Sequence, residues 1–195
     1  MNYEQARIIL DLIISVGTAV VFIIFATRHP VAKAMQYFTV QSNIYVAAVS
    51  FICAFCSLWG KEPGWLVILK YSATCSVTVT FLTVFLYLGP RFRNWGFLLS
   101  GANLWMHLFC PVFAIASLLL RGPLSLPFAA SFAGLAPVVL YSLLYLKKVV
   151  LEPEEKRWED LYGFTDGIRW IWSMTAMYLA SYVISLLLRA LLAVF

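Results

Sequence analysis

Apolar residues in this chain form long unbroken runs rather than alternating with polar ones. Six runs stand out: Ala6 to Ala26, Phe38 to Trp59, Leu66 to Leu88, Trp95 to Leu120, Leu124 to Leu146 and Ile168 to Leu192. Each matches the ~20 residues that a helix needs to cross a bilayer. A membrane β-barrel would show short alternating segments instead, so the runs predict helices. Between them lie turn-forming clusters: Arg28-His29-Pro30, Gly60-Lys61-Glu62-Pro63-Gly64, Gly89-Pro90-Arg91 and Arg121-Gly122-Pro123. Only the connection from Lys147 to Gly167 is long, and within it Trp158, Leu161 and Tyr162 recur at helical spacing among charges. That pattern predicts a short helix lying in the interface or a plain linker. The first run is too long for the core of a signal peptide and reads as helix one.

Composition sharpens this picture. Hydrophobic residues are 63% of the 195 and charged residues only 12%, about half the charged share of a soluble domain. The expected architecture is therefore all-α, a single transmembrane domain over residues 1–195 built as a bundle of six helices. The net charge of +5 suits an anionic membrane surface and carries no pattern for binding nucleic acid. Cys53, Cys56, Cys75 and Cys110 all lie inside apolar runs, where thiols act as small packing residues. No metal and no cofactor is expected. Two axial ligands for a haem are lacking, with His29 in a loop and His107 inside a run.

Charge distribution predicts orientation. The odd-numbered loops collect Arg28, Lys33, Arg91, Arg93, Lys147, Lys148, Lys156, Arg157 and Arg169, while the terminal side has Arg7, Lys61, Lys70, Arg121 and Arg189. The excess places the odd-numbered loops in the cytosol and the termini outside.

Polar residues within the runs carry the remaining information, because each costs free energy in hydrocarbon. Asp11 in helix one has Lys70 of helix three as its expected partner, or failing that Arg189 of helix six. Ser72, Ser76, Thr80 and Thr83 form a stripe on helix three suited to close helix packing. In helix four, Ser100, Asn103 and His107 are spaced to share one face, with Pro111 four residues beyond the histidine. Pro137 predicts a bend in helix five. Helix two opens on Thr39, Gln41, Ser42 and Asn43, more polar groups than helix packing alone requires. Counting from Trp95, His107 lies roughly 18 Å along helix four at 1.5 Å per residue.

The segments MQYFTVQSNIYV (Met35 to Val46) and NLWMHLFCPVF (Asn103 to Phe113) resemble the androgen-induced and androgen-dependent family of intramembrane threonine hydrolases, in particular its bacterial branch. The six-helix layout agrees over most of the chain, and the specific likeness is confined to these segments. The resemblance implies a threonine–histidine catalytic pair, falling here on Thr39 and His107. It also implies hydrolysis of fatty acid esters of hydroxy fatty acids, and a bacterial cytoplasmic membrane as the location. The residues themselves are compatible with that chemistry: a hydroxyl nucleophile and an imidazole base. Asn43, Gln41, Asn103 and Ser42 are candidate oxyanion or substrate contacts, Ser42 being also a rival nucleophile. Lys33, Arg91 and Arg93 are candidates to receive a lipid carboxylate. Expected partners are a lipid ester substrate and membrane lipids. The same polar interior also fits a small channel or transporter, or a scaffold without chemistry.

Overall fold

The structure, a computed structural model, describes residues 2–27, 30–60, 62–160 and 169–195. Arg28, His29, Lys61, Leu161 and Tyr162, named above, lie outside the described residues. Those described contain no strand, and six of their helical segments are long and apolar enough to cross a membrane. The protein is a multi-pass membrane bundle.

Helix α1 (Tyr3–Ala26) starts at a reciprocal cap, in which Gln5 N donates to Asn2 Oδ1 and Asn2 N to Gln5 Oε1. A short α2 (Val31–Ala34) turns the chain into α3 (Phe38–Leu58). Next, α4 (Gly64–Thr83) runs through a π-helical turn at Val84–Leu88 into α5 (Gly89–Phe92), a crossing of Gly64–Arg91. The expected fourth helix is interrupted. It comprises α6 (Trp95–Leu98), α7 (Gly101–Leu104), a π-helical turn at Trp105–Phe109 and α8 (Cys110–Leu119). Helix α9 (Ala130–Leu146) continues through a π turn at Lys147–Leu151, and α10 spans Arg169–Val194.

Two expectations need correction. The fourth crossing begins at Gly101, not Trp95, because the chain breaks at Leu99–Ser100 and Gly101 sits at φ +53°, a conformation that glycine tolerates best. The fifth crossing begins at Ala130 rather than Leu124; Leu124 N instead donates to Leu192 O (2.7 Å), tying the loop to the end of α10. Trp158 lies in non-helical chain, in keeping with the linker alternative, and its N–H donates to Lys148 O. Pro137 sits within the continuous helix α9.

Helix α4 is the axis of the bundle. It packs on α3, α8, α9 and α10, and every residue from Lys70 to Thr80 is buried. Its small residues permit this close approach. Thr74, Thr78 and Thr80 satisfy their hydroxyls on their own helix four residues back, Ser76 does so three residues back, and Ser72 donates across to Ala133 O of α9. Thr83, at the end of the predicted stripe, is exposed. Around this axis lie two apolar clusters, one with Ile14, Val46, Val77 and Ala114, the other with Leu118, Val138, Ile184 and Leu188.

Helix α1 turns a polar stripe inward at helical spacing: Arg7, Asp11, Ser15 and Thr18, with Ile14 among them. Lys70 Nζ donates to Asp11 Oδ1 (2.5 Å) and to Ser50 Oγ (2.6 Å), while Ser117 Oγ donates to the same Asp11 oxygen (2.6 Å). Asp11 therefore takes its first expected partner. Arg189 goes elsewhere: its Nη1 donates to Leu126 O, and its guanidinium lies over the Phe128 ring.

Candidate active site

The polar start of α3 is held in place from two sides. Gln41 Nε2 reaches back to Met35 O (2.7 Å), and Tyr141 Oη of α9 donates to Gln36 O (2.7 Å). These bonds fix the corner between α2 and α3, so the first turn of α3 is a rigid platform. Thr39 is the second residue of that turn and is half-buried.

The Thr39 hydroxyl forms no hydrogen bond with any described residue and is not sealed from its surroundings. Membrane threonines usually bond back to the carbonyl one turn earlier. Here that carbonyl is Met35 O, which the Gln41 amide occupies. Ser42, the rival nucleophile, is 2% exposed and fully engaged, contacting Thr39 O (3.1 Å) and Thr80 Oγ1 (3.2 Å). Sequence spacing treats the two hydroxyls alike, whereas the hydrogen bonding separates them.

The histidine is positioned by the break in helix four. Asn94 caps α6 through Phe97 N (3.2 Å), and Asn103 Nδ2 donates to Phe97 O (3.1 Å) across the break. His107 Nδ1 contacts Leu98 O at 2.8 Å. A carbonyl only accepts, so Nδ1 carries the proton in the neutral ring and Nε2 keeps its lone pair. Nε2 has no partner among the described residues and is not sealed off. Pro111 cannot donate to His107 O, and the helix widens there into the π turn, closed by Cys110 N to Trp105 O.

This break corrects the predicted depth. His107 lies six residues beyond Gly101, roughly 9 Å along the crossing instead of 18 Å. Thr39 lies in the first turn of its own crossing on the same side of the bundle. Asn43 links the two places: its Nδ2 donates to Thr39 O (2.8 Å) and to Met106 O (3.2 Å), the residue preceding His107. Both amide hydrogens are thus directed at backbone, and Oδ1 is buried without a partner. In this arrangement Asn43 positions the site rather than offering a free donor. Ser100 precedes α7 and does not share a helical face with His107.

The first turn of α3 supplies donors of a different kind. The backbone N–H groups of Phe38 and Thr39 have no partner among the described residues, as expected at a helix start. They belong to the threonine and the residue before it, and backbone groups of this kind leave no mark in a sequence. Nearby, a narrow apolar crevice lined by Phe22, Phe25, Val40, Ile44 and Met106 runs between α1, α3 and the π turn.

The candidate cations have local roles. Lys33 pairs with Glu159 (2.9 Å), whose hydrogen bond and charge raise the lysine above its ordinary pKa of 10.5. Arg91 donates to Tyr87 Oη (3.2 Å) and lies over that ring, while Arg93 is exposed in the left-handed conformation that ends α5.

Comparison with protein-family models, curated proteins and solved structures finds no match to this chain.

Proposed function

We propose that the protein is an intramembrane lipid ester hydrolase in which Thr39 is the nucleophile and His107 its general base. The observation that carries this reading is the contrast in hydrogen bonding. Thr39 keeps a free hydroxyl in a first turn where Ser42 does not, and the histidine tautomer leaves Nε2 as the base. The likeness of the two segments to the intramembrane threonine hydrolases supports the same assignment and suggests fatty acid esters of hydroxy fatty acids as the substrate class.

The reaction follows from these groups. Thr39 Oγ1 attacks the ester carbonyl as His107 Nε2 takes its proton. Negative charge developing on the carbonyl oxygen meets the unbonded N–H groups of Phe38 and Thr39 at the positive end of α3. Collapse breaks the ester C–O bond, His107 returns the proton to the departing alkoxide, and the acyl chain remains on Thr39. Water, deprotonated by His107, then attacks the acyl-threonine; the acyl C–O bond to Thr39 breaks, His107 returns the proton to Thr39 Oγ1, and the fatty acid leaves. The apolar crevice beside Asn43 has a volume of only about 10 Å³, room for one water, so an acyl chain enters it only as Phe22, Phe25 and Met106 move apart. A released carboxylate would find the exposed Arg93 on the same side of the bundle, after the end of the third crossing. The excess of cations on this side favours a cytosolic face for it, and the likeness to the bacterial branch suggests a bacterial cytoplasmic membrane.

A fluorophosphonate probe that labels serine and threonine hydrolases tests the proposal. Labelling should occur in membranes, survive Ser42→Ala and disappear in Thr39→Ala. Labelling that survives Thr39→Ala would refute the assignment.

A further inference from the structure

At the opposite end of the bundle from Thr39, a second polar constellation remains that the hydrolase reading does not use. Glu62 bridges two arginines, with Oε2 on Arg7 Nη1 (2.5 Å) and Oε1 on Arg121 Nη1 (2.6 Å). Arg7 Nη2 also donates to Ser57 Oγ (3.0 Å). Arg7 lies one helical turn from Asp11, whose charge is met by Lys70. Arg7 and Arg121 share the single Glu62 carboxylate, an excess of one positive charge within the ion-paired group, while Glu4, lining the same cleft, pairs with neither arginine. That excess falls on Arg121: its side chain is 5% exposed, yet Nε and Nη2 are buried with no hydrogen-bond partner.

Unpartnered guanidinium nitrogens in a low-dielectric setting are costly. Arg121 lines a cleft of about 400 Å³ together with Glu4, Arg7 and Glu62 and the apolar Val67, Leu120 and Leu124. Tyr3, Trp59 and Trp65 are all well exposed at the same end of the bundle, as expected at headgroup depth. Glu62 is committed to both arginines, so the cleft offers one uncompensated cation at Arg121 and one exposed carboxylate at Glu4.

We infer that this cleft binds a phospholipid headgroup bearing both a phosphate and a primary ammonium. The phosphate accepts hydrogen bonds from Arg121, whose planar fork suits a tetrahedral oxyanion. The ammonium meets Glu4, and the acyl chains leave along Val67, Leu120 and Leu124. Because Nε and Nη2 are covered by neighbouring side chains, binding includes a swing of the guanidinium toward the cleft that it lines. An anionic headgroup without an amine meets the Arg121 charge but also faces Glu4. A free phosphate has no use for the apolar wall.

The test uses the full chain purified in detergent, with thermal unfolding and native mass spectrometry as readouts. Phosphatidylethanolamine, phosphatidylglycerol, phosphatidylcholine and tail-less phosphoethanolamine are added at equal concentration. Phosphatidylethanolamine should raise the unfolding midpoint most and be retained in the mass spectrum, and phosphoethanolamine should do neither. Arg121→Gln should weaken retention about tenfold or more, the scale of one charge-assisted hydrogen bond. Glu4 is exposed in the first turn of α1, so Glu4→Gln should fold normally and abolish the preference for phosphatidylethanolamine over phosphatidylglycerol. Equal shifts from all three lipids would overturn the inference, as would equal binding of phosphoethanolamine. A preference unchanged in Glu4→Gln would overturn the assignment of the ammonium.

Discussion

Replacing Asp11 with asparagine removes one charge from a pair that has no access to water. Lys70 is 0% exposed and Asp11 1%, so neither solvent nor salt screens what remains. In Asp11→Asn the Lys70 ammonium keeps Ser50 Oγ and gains at best a neutral amide oxygen, while Ser117 keeps an acceptor. Breaking one partner of a buried pair costs about 3–5 kcal/mol, because the other charge is left uncompensated. At about 2–4 °C per kcal/mol for a chain of this size, the midpoint should fall by roughly 6 to 20 °C. Removing both charges in Asp11→Asn/Lys70→Met should restore most of that loss. Tryptophan fluorescence during heating in one detergent measures all three proteins. Ester turnover per folded molecule should persist in Asp11→Asn, since the pair lies away from the first turn of α3. A midpoint within about 2 °C of the parent, or a double variant less stable than the single one, would refute this reasoning. Normal stability with abolished turnover would place Asp11 in the catalytic machinery.

Three further outcomes follow from local geometry. A Cβ on Gly17 would lie 2.2 Å from Trp105 Cη2, and Trp105 Nε1 is anchored on Thr18 Oγ1 (3.0 Å), so Gly17→Ala should cost about 1–3 kcal/mol in denaturant unfolding. Pro111→Ala restores a donor for His107 O and should let the π turn revert toward regular helix. Ester turnover should fall severalfold while the unfolding midpoint stays level or rises, and unchanged turnover would show the π turn to be dispensable. For Glu62, burial raises the pKa, but hydrogen bonds from Arg121 and Arg7 outweigh it and hold the carboxyl below its ordinary 4.5. A folded pKa below the unfolded one contributes stability above the unfolded value, and that stability is lost as pH falls through the folded one. Unfolding midpoints taken below pH ~4.5 should therefore drop more steeply in the parent than in Glu62→Gln.

The crossings were legible because hydrocarbon demands continuous apolar runs, and the Asp11–Lys70 pair because a buried charge demands a partner. What escaped the sequence was backbone. The interruption at Leu99–Ser100 is marked in the sequence only by the Ser100-Gly101 pair, a turn signal set within a long run of otherwise apolar residues. Its tertiary supports, Asn103 on Phe97 O and His107 on Leu98 O, become visible only once the chain is folded. The distinction between Thr39 and Ser42 escaped for a similar reason, since it rests on the partners that folding brings to Ser42, Thr39 O and Thr80 Oγ1. In the sequence Arg121 reads only as a charge that sets orientation, because its link to Glu62 crosses between distant loops.

Hydrolysis of a fatty acid ester of a hydroxy fatty acid tests the central assignment most directly. The substrate is presented in detergent to the parent protein, Thr39→Ala, His107→Ala and the double variant, with released fatty acid quantified by mass spectrometry. Residues that act as one catalytic unit are not additive, so each single variant should lose activity nearly completely and the double should be little worse. Thr39→Ser, which keeps the hydroxyl, should retain part of the rate. Activity that survives Thr39→Ala but vanishes in Ser42→Ala would contradict the account, as would a parent protein, folded and reconstituted, that releases no fatty acid.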